Sequence, residues 1–400
     1  MTRDRTPFPR HLAVLFSVTC GLAVANVYYA QPLLDEIANA FAISHALAGA
    51  IITFTQVGYA LGLLLVVPLG DLLDRRRLVV GQLILTSLAL TAVAFASGAW
   101  MLLAAMAIVG ALAVVAQVLV AYAAILAEPS QRGRAVGTVT SGIVIGILLA
   151  RVVSGTLSDL WGWRSVYIVS ATATLVMAAL LLRVLPAAPP APQMSYMRLI
   201  GSVFTIFSEE RLLRIRAIHA LLIFAAIATL LTPVVLPLTA PPFYLSHTQV
   251  GLLGLAGAAG ALGANFAGAM GDRGHAQRAT AVGLTVMLAS WIPISLLSQS
   301  VWLLVIGVVT MDFGLQTVHV ANQILIYRLR PEAQSRLAGA YMLFYSFGIG
   351  AGSIVSTLVY AWAGWGGVCA IGAAISATAL AFWGLTRYSA PQTITPHGSR

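Results

Sequence analysis

The chain consists largely of long hydrophobic runs, separated by short polar or proline- and glycine-containing segments. Each run is close to the roughly 20 residues that an α-helix needs to cross the hydrocarbon core of a bilayer. Of the 400 residues, 60% are hydrophobic and only 8% are charged, which is too little charge to cover a water-facing surface. These features exclude a soluble enzyme, a nucleic-acid-binding protein, a disordered protein and a secreted disulfide-rich protein.

Polar residues, prolines and glycines divide the hydrophobic sequence into twelve predicted membrane spans. The first six are His11–Leu34, Leu47–Leu69, Leu78–Ser97, Met101–Leu126, Ala135–Ser158 and Ser165–Leu185. The second six are Ile215–Leu238, Gln249–Met270, Thr280–Leu297, Val301–Tyr327, Leu337–Ala361 and Gly367–Leu385. We therefore predict an all-α polytopic membrane protein with six-helix bundles at 1–185 and 215–400, joined by a proline-rich, charged linker at 186–214.

The distribution of arginine predicts the orientation of the chain in the membrane. All 22 basic residues are arginines, and the formal net charge is +10. If the N-terminus is cytoplasmic, 20 of these arginines lie on the inner side, in loops, the linker, the tails or the inner ends of spans, whereas Arg164 lies outside and Arg151 lies deep within a span. Positively charged residues concentrate on the cytoplasmic side of membrane proteins, so we expect both termini there. The net charge then reflects topology and requires no nucleic-acid partner.

The two halves of the sequence resemble each other at an offset of about 202 residues, as expected of repeats related by an axis along the membrane normal. Four short matches occur in the same order in both halves. They pair Trp100 with Trp302, Arg134–Gly137 with Arg336–Gly339, Trp161–Trp163 with the neighbourhood of Trp365, and Gly70–Arg75 with Gly268–Arg273.

These residues also suggest a family. The loop after the second span reads Gly70-Asp-Leu-Leu-Asp74-Arg75-Arg76-Arg77, with a degenerate copy ending in Asp272 and Arg273. In this loop and its repeat, and along essentially its whole length, the sequence resembles the major facilitator superfamily. The glycine-rich fifth span and the segment from Tyr28 to Glu36 resemble its bacterial drug:proton antiporters, although the Gly-Pro pair of the antiporter motif is absent. The resemblance implies a multi-pass transporter in the bacterial inner membrane.

A polar stripe on the tenth predicted span is our candidate proton-coupling site. Asp312 lies near the middle of that span, and Gln316, His319 and Gln323 follow it at spacings of four, three and four residues, on one helical face. Charged residues inside membrane spans usually face a cavity or a partner. We interpret Asp312 as the proton carrier and His319 as a relay or substrate contact. The alternative is a hydrogen-bonded pair that only fixes helix packing.

Arginine and carboxylate groups near the span ends are candidate gating residues. Arg151 either binds an anionic substrate, pairs with Asp35 or Glu36 as an outer gate, or serves only a structural role. The resemblance implies an inner gate at the loop after the second span and at its repeat, whereas the alternative is a charged loop that serves only topology. The inner-gate residues are Gly70, Asp74, Arg75, Arg76, Arg77, Asp272 and Arg273.

Other polar and aromatic residues within the spans are weaker candidates for a substrate cavity, because such side chains also pack between helices. They are Asn26, Tyr29, Gln56, Tyr59, Gln117, Tyr341, Phe344 and Tyr345, together with Gln316 and Gln323 of the polar stripe. Gly142 and Gly146 form a pair of small residues one turn apart, which predicts a close contact between two helices.

The sequence therefore predicts a secondary transporter that works by alternating access rather than an enzyme. We find neither a nucleotide-binding Gly-Lys-Ser loop nor a metal-binding histidine motif, so we expect no cofactor and no metal. The expected partners are the lipid bilayer, protons and a small-molecule substrate, and we expect a monomer. We favour proton-coupled efflux of small amphipathic compounds. The alternative is proton-coupled uptake or exchange of a small polar metabolite or organic anion.

Overall fold

The structure, a computed structural model, describes residues 10–128, 131–185, 195–330 and 334–387. Within these ranges the regular secondary structure is entirely helical. Eleven helices are long and apolar enough to cross a membrane. An all-helical membrane protein is thus confirmed, as expected where each span must satisfy its own backbone hydrogen bonds in lipid.

The helices of the first half follow the predicted spans closely, and three of those spans are interrupted. The α-helices are α1 (Arg10–Tyr28), α2 (Leu34–Ala40), α3 (Gly49–Leu61), α4 (Arg75–Ala94), α5 (Ala99–Ala113), α6 (Val115–Leu126), α7 (Arg132–Trp161) and α8 (Trp163–Val184). A 3₁₀ turn, Gln31–Leu33, connects α1 to α2. The second span continues beyond α3 as a π-helix, Gly62–Val66, and a 3₁₀ helix, Val67–Asp71.

The second half begins with a helix inside the predicted linker, which the sequence analysis did not anticipate. Its helices are α9 (Tyr196–Glu209), α10 (Arg211–Leu231), α11 (Val235–Thr239), α12 (His247–Leu252), α13 (Ala259–Asp272), α14 (Ala276–Ser295), α15 (Val301–Tyr327) and α16 (Gln334–Thr386). The 3₁₀ segment Leu253–Ala258 joins α12 to α13, so that the eighth span is also interrupted. The bounds of α15 are those predicted from the sequence.

The number of spans depends on how α16 is divided. Its membrane-spanning part, Arg336–Thr386, has 51 residues. That is more than twice the roughly 20 residues that cross a bilayer. Gly364 interrupts the helix with φ 60° and ψ −158°, a conformation that favours glycine. The predicted eleventh and twelfth spans therefore lie on either side of the break at Gly364.

The internal repeat seen in the sequence also appears in the helix starts. Arg75 and Ala276 begin α4 and α14, Ala99 and Val301 begin α5 and α15, and Arg132 and Gln334 begin α7 and α16. Each pair is separated by about the same 202 residues as the sequence matches. Equivalent spans therefore begin at equivalent positions in the two halves.

The two halves pack against each other at the end opposite the arginine-rich loops. At this end the Thr53 hydroxyl donates to the Gly350 carbonyl (2.7 Å), and the Gly49 amide donates to the Thr357 hydroxyl (3.3 Å). A second contact joins α7 to α12, where Thr248 donates to Asp159. We call this region the closed end. The opposite, arginine-rich end carries the loop of Arg75–Arg77.

Within the first half, α1 and α7 approach so closely that their backbones touch. A Cβ atom added at Gly21 would lie 2.7 Å from the carbonyl oxygen of Gly142. Cβ atoms at Gly142 and Gly146 would overlap the backbone at Ser17 and Gly21. The predicted close contact at Gly142 and Gly146 is confirmed, and its partner is the first span.

We expect Gly146→Leu to destabilise the folded protein, because the new side chain would force α1 and α7 apart. Overpacking of this kind typically costs about 1–3 kcal/mol. Gly137→Leu is the matched control on the same helix, since Gly137 is exposed and a Cβ there meets nothing within 4 Å. Thermal unfolding in detergent, followed by size-exclusion chromatography, should show a lower melting temperature for Gly146→Leu alone. Equal melting temperatures for the two variants would contradict the packing.

Candidate transport site

Asp312 lies near the middle of α15, about 16 Å from its first residue at 1.5 Å per residue. The side chain is partly exposed and faces the 3₁₀ segment of the eighth span. A Cβ atom added at Gly257 would lie 3.4 Å from Oδ2 of Asp312 and 3.2 Å from Leu148 of α7. The carboxylate therefore lies where the first half meets the second.

Arg151 of α7 reaches the same region from the first half. Its Nε donates to Oε1 of Gln31 (2.8 Å), and its guanidinium lies 5.5 Å from the centre of the Tyr28 ring. It also interacts electrostatically with Asp312. Gly254 provides space for it, since a Cβ there would lie 3.0 Å from Cδ of Arg151.

Of the three alternatives for Arg151, the pairing with Asp35 or Glu36 is not formed in this conformation. Asp35 instead faces His247, whose Nε2 lies 3.1 Å from its Oδ1. Glu36 accepts hydrogen bonds from the Ser158 hydroxyl and the Trp163 amide. The reason is position: on α7, Arg151 lies about two turns before Ser158, which binds Glu36, and it is level with the 3₁₀ turn that contains Gln31.

Tyrosines from the two halves meet beside Arg151. The hydroxyl oxygens of Tyr28 and Tyr345 are 2.6 Å apart and share a hydrogen bond. Phe224 of α10 packs edge-on against Tyr345, with ring centres 4.1 Å apart. Tyr345 thus belongs to the contact between the halves, next to the predicted charged residues.

His319 belongs to a second hydrogen-bonded group, farther along α15. Its Nδ1 lies 3.0 Å from the Tyr341 hydroxyl, and its Nε2 lies 3.3 Å from Nε2 of Gln323. Gln316 packs against Gly260 of α13. The predicted stripe is continuous on one helix face, yet its members have different neighbours. The structure does not place His319 in contact with Asp312, so a direct proton relay between them is not formed in this conformation.

Arg216 is a buried charge that the sequence analysis missed. It is 1% exposed, and its Nη1 donates to Oδ1 of Asn322 (3.2 Å). Asn322 in turn lies 3.4 Å from the Tyr341 hydroxyl. The predicted seventh span begins at Ile215 and so leaves Arg216 at its edge, whereas α10 begins at Arg211 and carries Arg216 more than one turn into the helix. His219 follows Arg216 by three residues on the same helix face. Two polar residues at this spacing in an otherwise apolar run could have pointed to a buried polar group.

The remaining cavity candidates lie in different surroundings. Tyr59 interacts with Gln117 across the first half. Gln56 is buried against α16 near Gly350. Asn26 packs inside the first half, where it accepts a hydrogen bond from Ser170 (2.5 Å).

Two aromatic candidates are also located. Tyr29 is buried. Phe344 stacks on Phe207 of the linker helix α9, with ring centres 5.1 Å apart, and so lies away from Asp312 and Arg151.

The predicted inner-gate motif is a helix cap in this conformation. Asp74 accepts hydrogen bonds from the backbone amides of Arg76 and Arg77 at the start of α4. Arg75 donates to the Gly70 carbonyl (2.8 Å), and Arg76 donates to the Leu182 carbonyl of the same half.

The second copy of the motif is exposed. Asp272 ends α13, and Arg273 follows it.

Comparisons with known proteins agree with this architecture. The sequence matches the family model of the Major Facilitator Superfamily in two overlapping regions, residues 15–238 and 217–399. It is 44% identical to the uncharacterized transporter YgaY of Escherichia coli O157:H7, over 96% of this chain and 97% of that protein.

Solved structures share the fold at low sequence identity. A bacterial homologue of the human lysosomal transporter Spinster, in an inward-facing and unoccupied conformation, gives a TM-score of 0.79 at 15% identity, covering 98% of this chain and 100% of that one. A mutant of the nucleoside transporter NupG gives 0.75 at 14% identity, covering 94% and 99%. The family match along almost the whole chain and the 44% identical relative together show that this chain belongs to the Major Facilitator Superfamily of transporters.

Proposed function

We propose that this transporter exports small amphipathic compounds in exchange for protons. The observation that carries the proposal is the position of Asp312, near the middle of α15 and electrostatically coupled to Arg151 of the other half. A carboxylate in a membrane span is costly to keep charged, so it favours binding a proton or facing a cation. It is therefore suited to couple proton binding to movement of the halves.

The proposed orientation places the closed end outside the cell. The arginine-rich loops then lie in the cytoplasm, as the positive-inside rule requires. On this orientation the outer side is closed by contacts such as Thr53 to Gly350. An exporter with a closed outer side would take up its substrate from the cytoplasmic side.

The proposed cycle uses the Arg151–Asp312 interaction as a link between the halves. While Asp312 is charged, Arg151 attracts it and favours the packing of α7 against the eighth span. Protonation of Asp312 removes this attraction and leaves Arg151 held by Gln31. A ligand can bias the conformational equilibrium only by binding the two states differently, and the proton does so here through one charge.

Aromatic side chains near this link favour an amphipathic substrate. Tyr28 and Tyr345 meet beside Arg151, and Phe224 packs on Tyr345. Tyr28 and Phe224 are buried in this conformation, so their ring faces would meet a substrate when the two halves separate. Such surfaces bind flat, partly polar molecules by stacking. The alternative, uptake of an organic anion, would instead use the charge of Arg151 directly.

Direction and substrate can be tested in cells that overexpress the protein and in cells lacking it. We expect overexpressing cells to accumulate less ethidium, a probe for amphipathic efflux, and a protonophore should abolish the difference. An untargeted metabolite and drug-susceptibility screen run in parallel identifies the physiological substrate class. Higher intracellular levels of an organic anion in overexpressing cells would favour the alternative over efflux.

A further inference from the structure

The closed end contains a histidine held between two carboxylates of the other half. His247 is the first residue of α12 in the second half. Its Nε2 lies 3.1 Å from Oδ1 and 3.3 Å from Oδ2 of Asp35, and its Nδ1 lies 3.2 Å from Oδ1 of Asp159. The side chain retains 20% exposure, so that water can reach it.

The geometry determines the protonation state that fits this contact. A neutral imidazole has one N–H donor and one nitrogen that can only accept. Because each ring nitrogen faces a carboxylate, a neutral ring would direct a lone pair at an anion. Only the doubly protonated ring donates to Asp35 and Asp159 at once.

Other groups around His247 reinforce the same preference. Glu36 adds a further negative charge nearby and is held by Ser158 and the Trp163 amide. Asp159 is fixed by the backbone amides of His247 (3.1 Å) and Thr248 (2.8 Å). Arg151 is a charged group of α7 that also faces the eighth span, but it lies at Gly254, about two turns deeper.

We propose that His247, Asp35 and Asp159 form a proton-binding site that locks the closed end, so that the two halves close there with uptake of a proton. When the halves separate, the imidazole loses both carboxylates and releases its extra proton near neutral pH. By linkage, a low pH at this end stabilises closure and a rising pH weakens it. The site is defined by the contacts of His247 alone and does not depend on which substrate is transported. It is also separate from Asp312.

Opening of the closed end can be measured without a substrate. Trp100 and Trp302 are exposed at equivalent positions, at the starts of α5 and α15 in opposite halves. Spin labels at Trp100→Cys and Trp302→Cys, in a Cys20→Ser, Cys369→Ser background, report their separation by pulsed electron resonance in nanodiscs. The ratio of closed to open populations should rise about tenfold from pH 8.5 to pH 5.5, within the range of typical coupling.

Substitutions then separate this site from other titrating groups. His247→Asn should remove most of the pH dependence, and His247→Lys should favour closure at both pH values because its charge is permanent. His45→Asn is the matched control, since His45 is an exposed histidine at the same end. It should leave the pH dependence unchanged. The proposal is wrong if wild type shows no pH dependence, or if His247→Asn retains it in full. Neither result would bear on proton coupling at Asp312, which is measured by transport.

Discussion

Asp312→Asn should reduce pH-gradient-driven transport by on the order of 100-fold, while substrate binding is retained, because asparagine keeps the shape of the side chain but cannot carry a proton. Among the residues that the structure describes, Asp312 is the carboxylate placed near the middle of a membrane span and beside a charge of the other half. Removing its charge also removes the attraction to Arg151. The variant should therefore exchange substrate between the two sides without being driven by the proton gradient.

The measurement uses purified protein in liposomes with an imposed pH gradient and the compound identified by the cellular screen. Substrate binding is measured separately, by equilibrium binding in detergent. Asp312→Glu is the matched control, because it keeps a titratable carboxyl group and should retain part of the coupled transport. Undiminished coupled transport in Asp312→Asn would remove Asp312 from the proton pathway and leave it a packing residue.

Arg151→Gln should destabilise the protein and impair transport, because Asp312 would lose its electrostatic partner in the other half. Removing one member of a buried charge pair in soluble proteins costs about 3–5 kcal/mol. Since Arg151 and Asp312 are both partly exposed, we expect a loss nearer about 1–3 kcal/mol, within the range of measured coupling between neighbouring residues. The hydrogen bond to Gln31 would also be lost.

A double-mutant cycle isolates the interaction between the two charges. The variant Arg151→Gln/Asp312→Asn should recover stability relative to Arg151→Gln, because neither charge is then left without its partner. Arg183→Gln, an exposed arginine of α8, is the control for removal of one positive charge. Thermal unfolding is measured in the same detergent for the wild type, Arg151→Gln, Asp312→Asn and the double variant. Additive effects of the two substitutions would show that the charges do not interact.

Much of the fold was accessible from the sequence because lipid restricts the solutions so strongly. A hydrophobic run in a bilayer must satisfy its backbone hydrogen bonds internally. The length of the run and the polar, proline and glycine residues that bound it therefore predict a helix directly. The bounds of α15 and the close helix contact at Gly142 and Gly146 were predicted correctly, although the partner of that contact, α1, was not. Interruptions such as the 3₁₀ segment Leu253–Ala258 were missed, because apolar composition does not distinguish an α-helix from a short irregular stretch.

The site was only partly accessible, because side-chain partners depend on which spans become neighbours. Asp312 was identified from its own sequence context, as a charge in a hydrophobic span. Its interaction with Arg151 joins residues from different halves. The contact between Asp35 and His247 was not anticipated, since the two residues are more than 200 positions apart and no sequence pattern connects them.

The sequence by itself determined that this chain is an all-helical membrane protein with two related halves, because hydrophobic length and repeated motifs are local properties. Only the tertiary structure decided which end is closed and which charges meet. Those outcomes depend on how two bundles pack against each other, and packing brings together residues such as Asp35, Asp159 and His247 that no local pattern connects. The buried Arg216 belongs to the same class, because its burial is a property of the assembled second half.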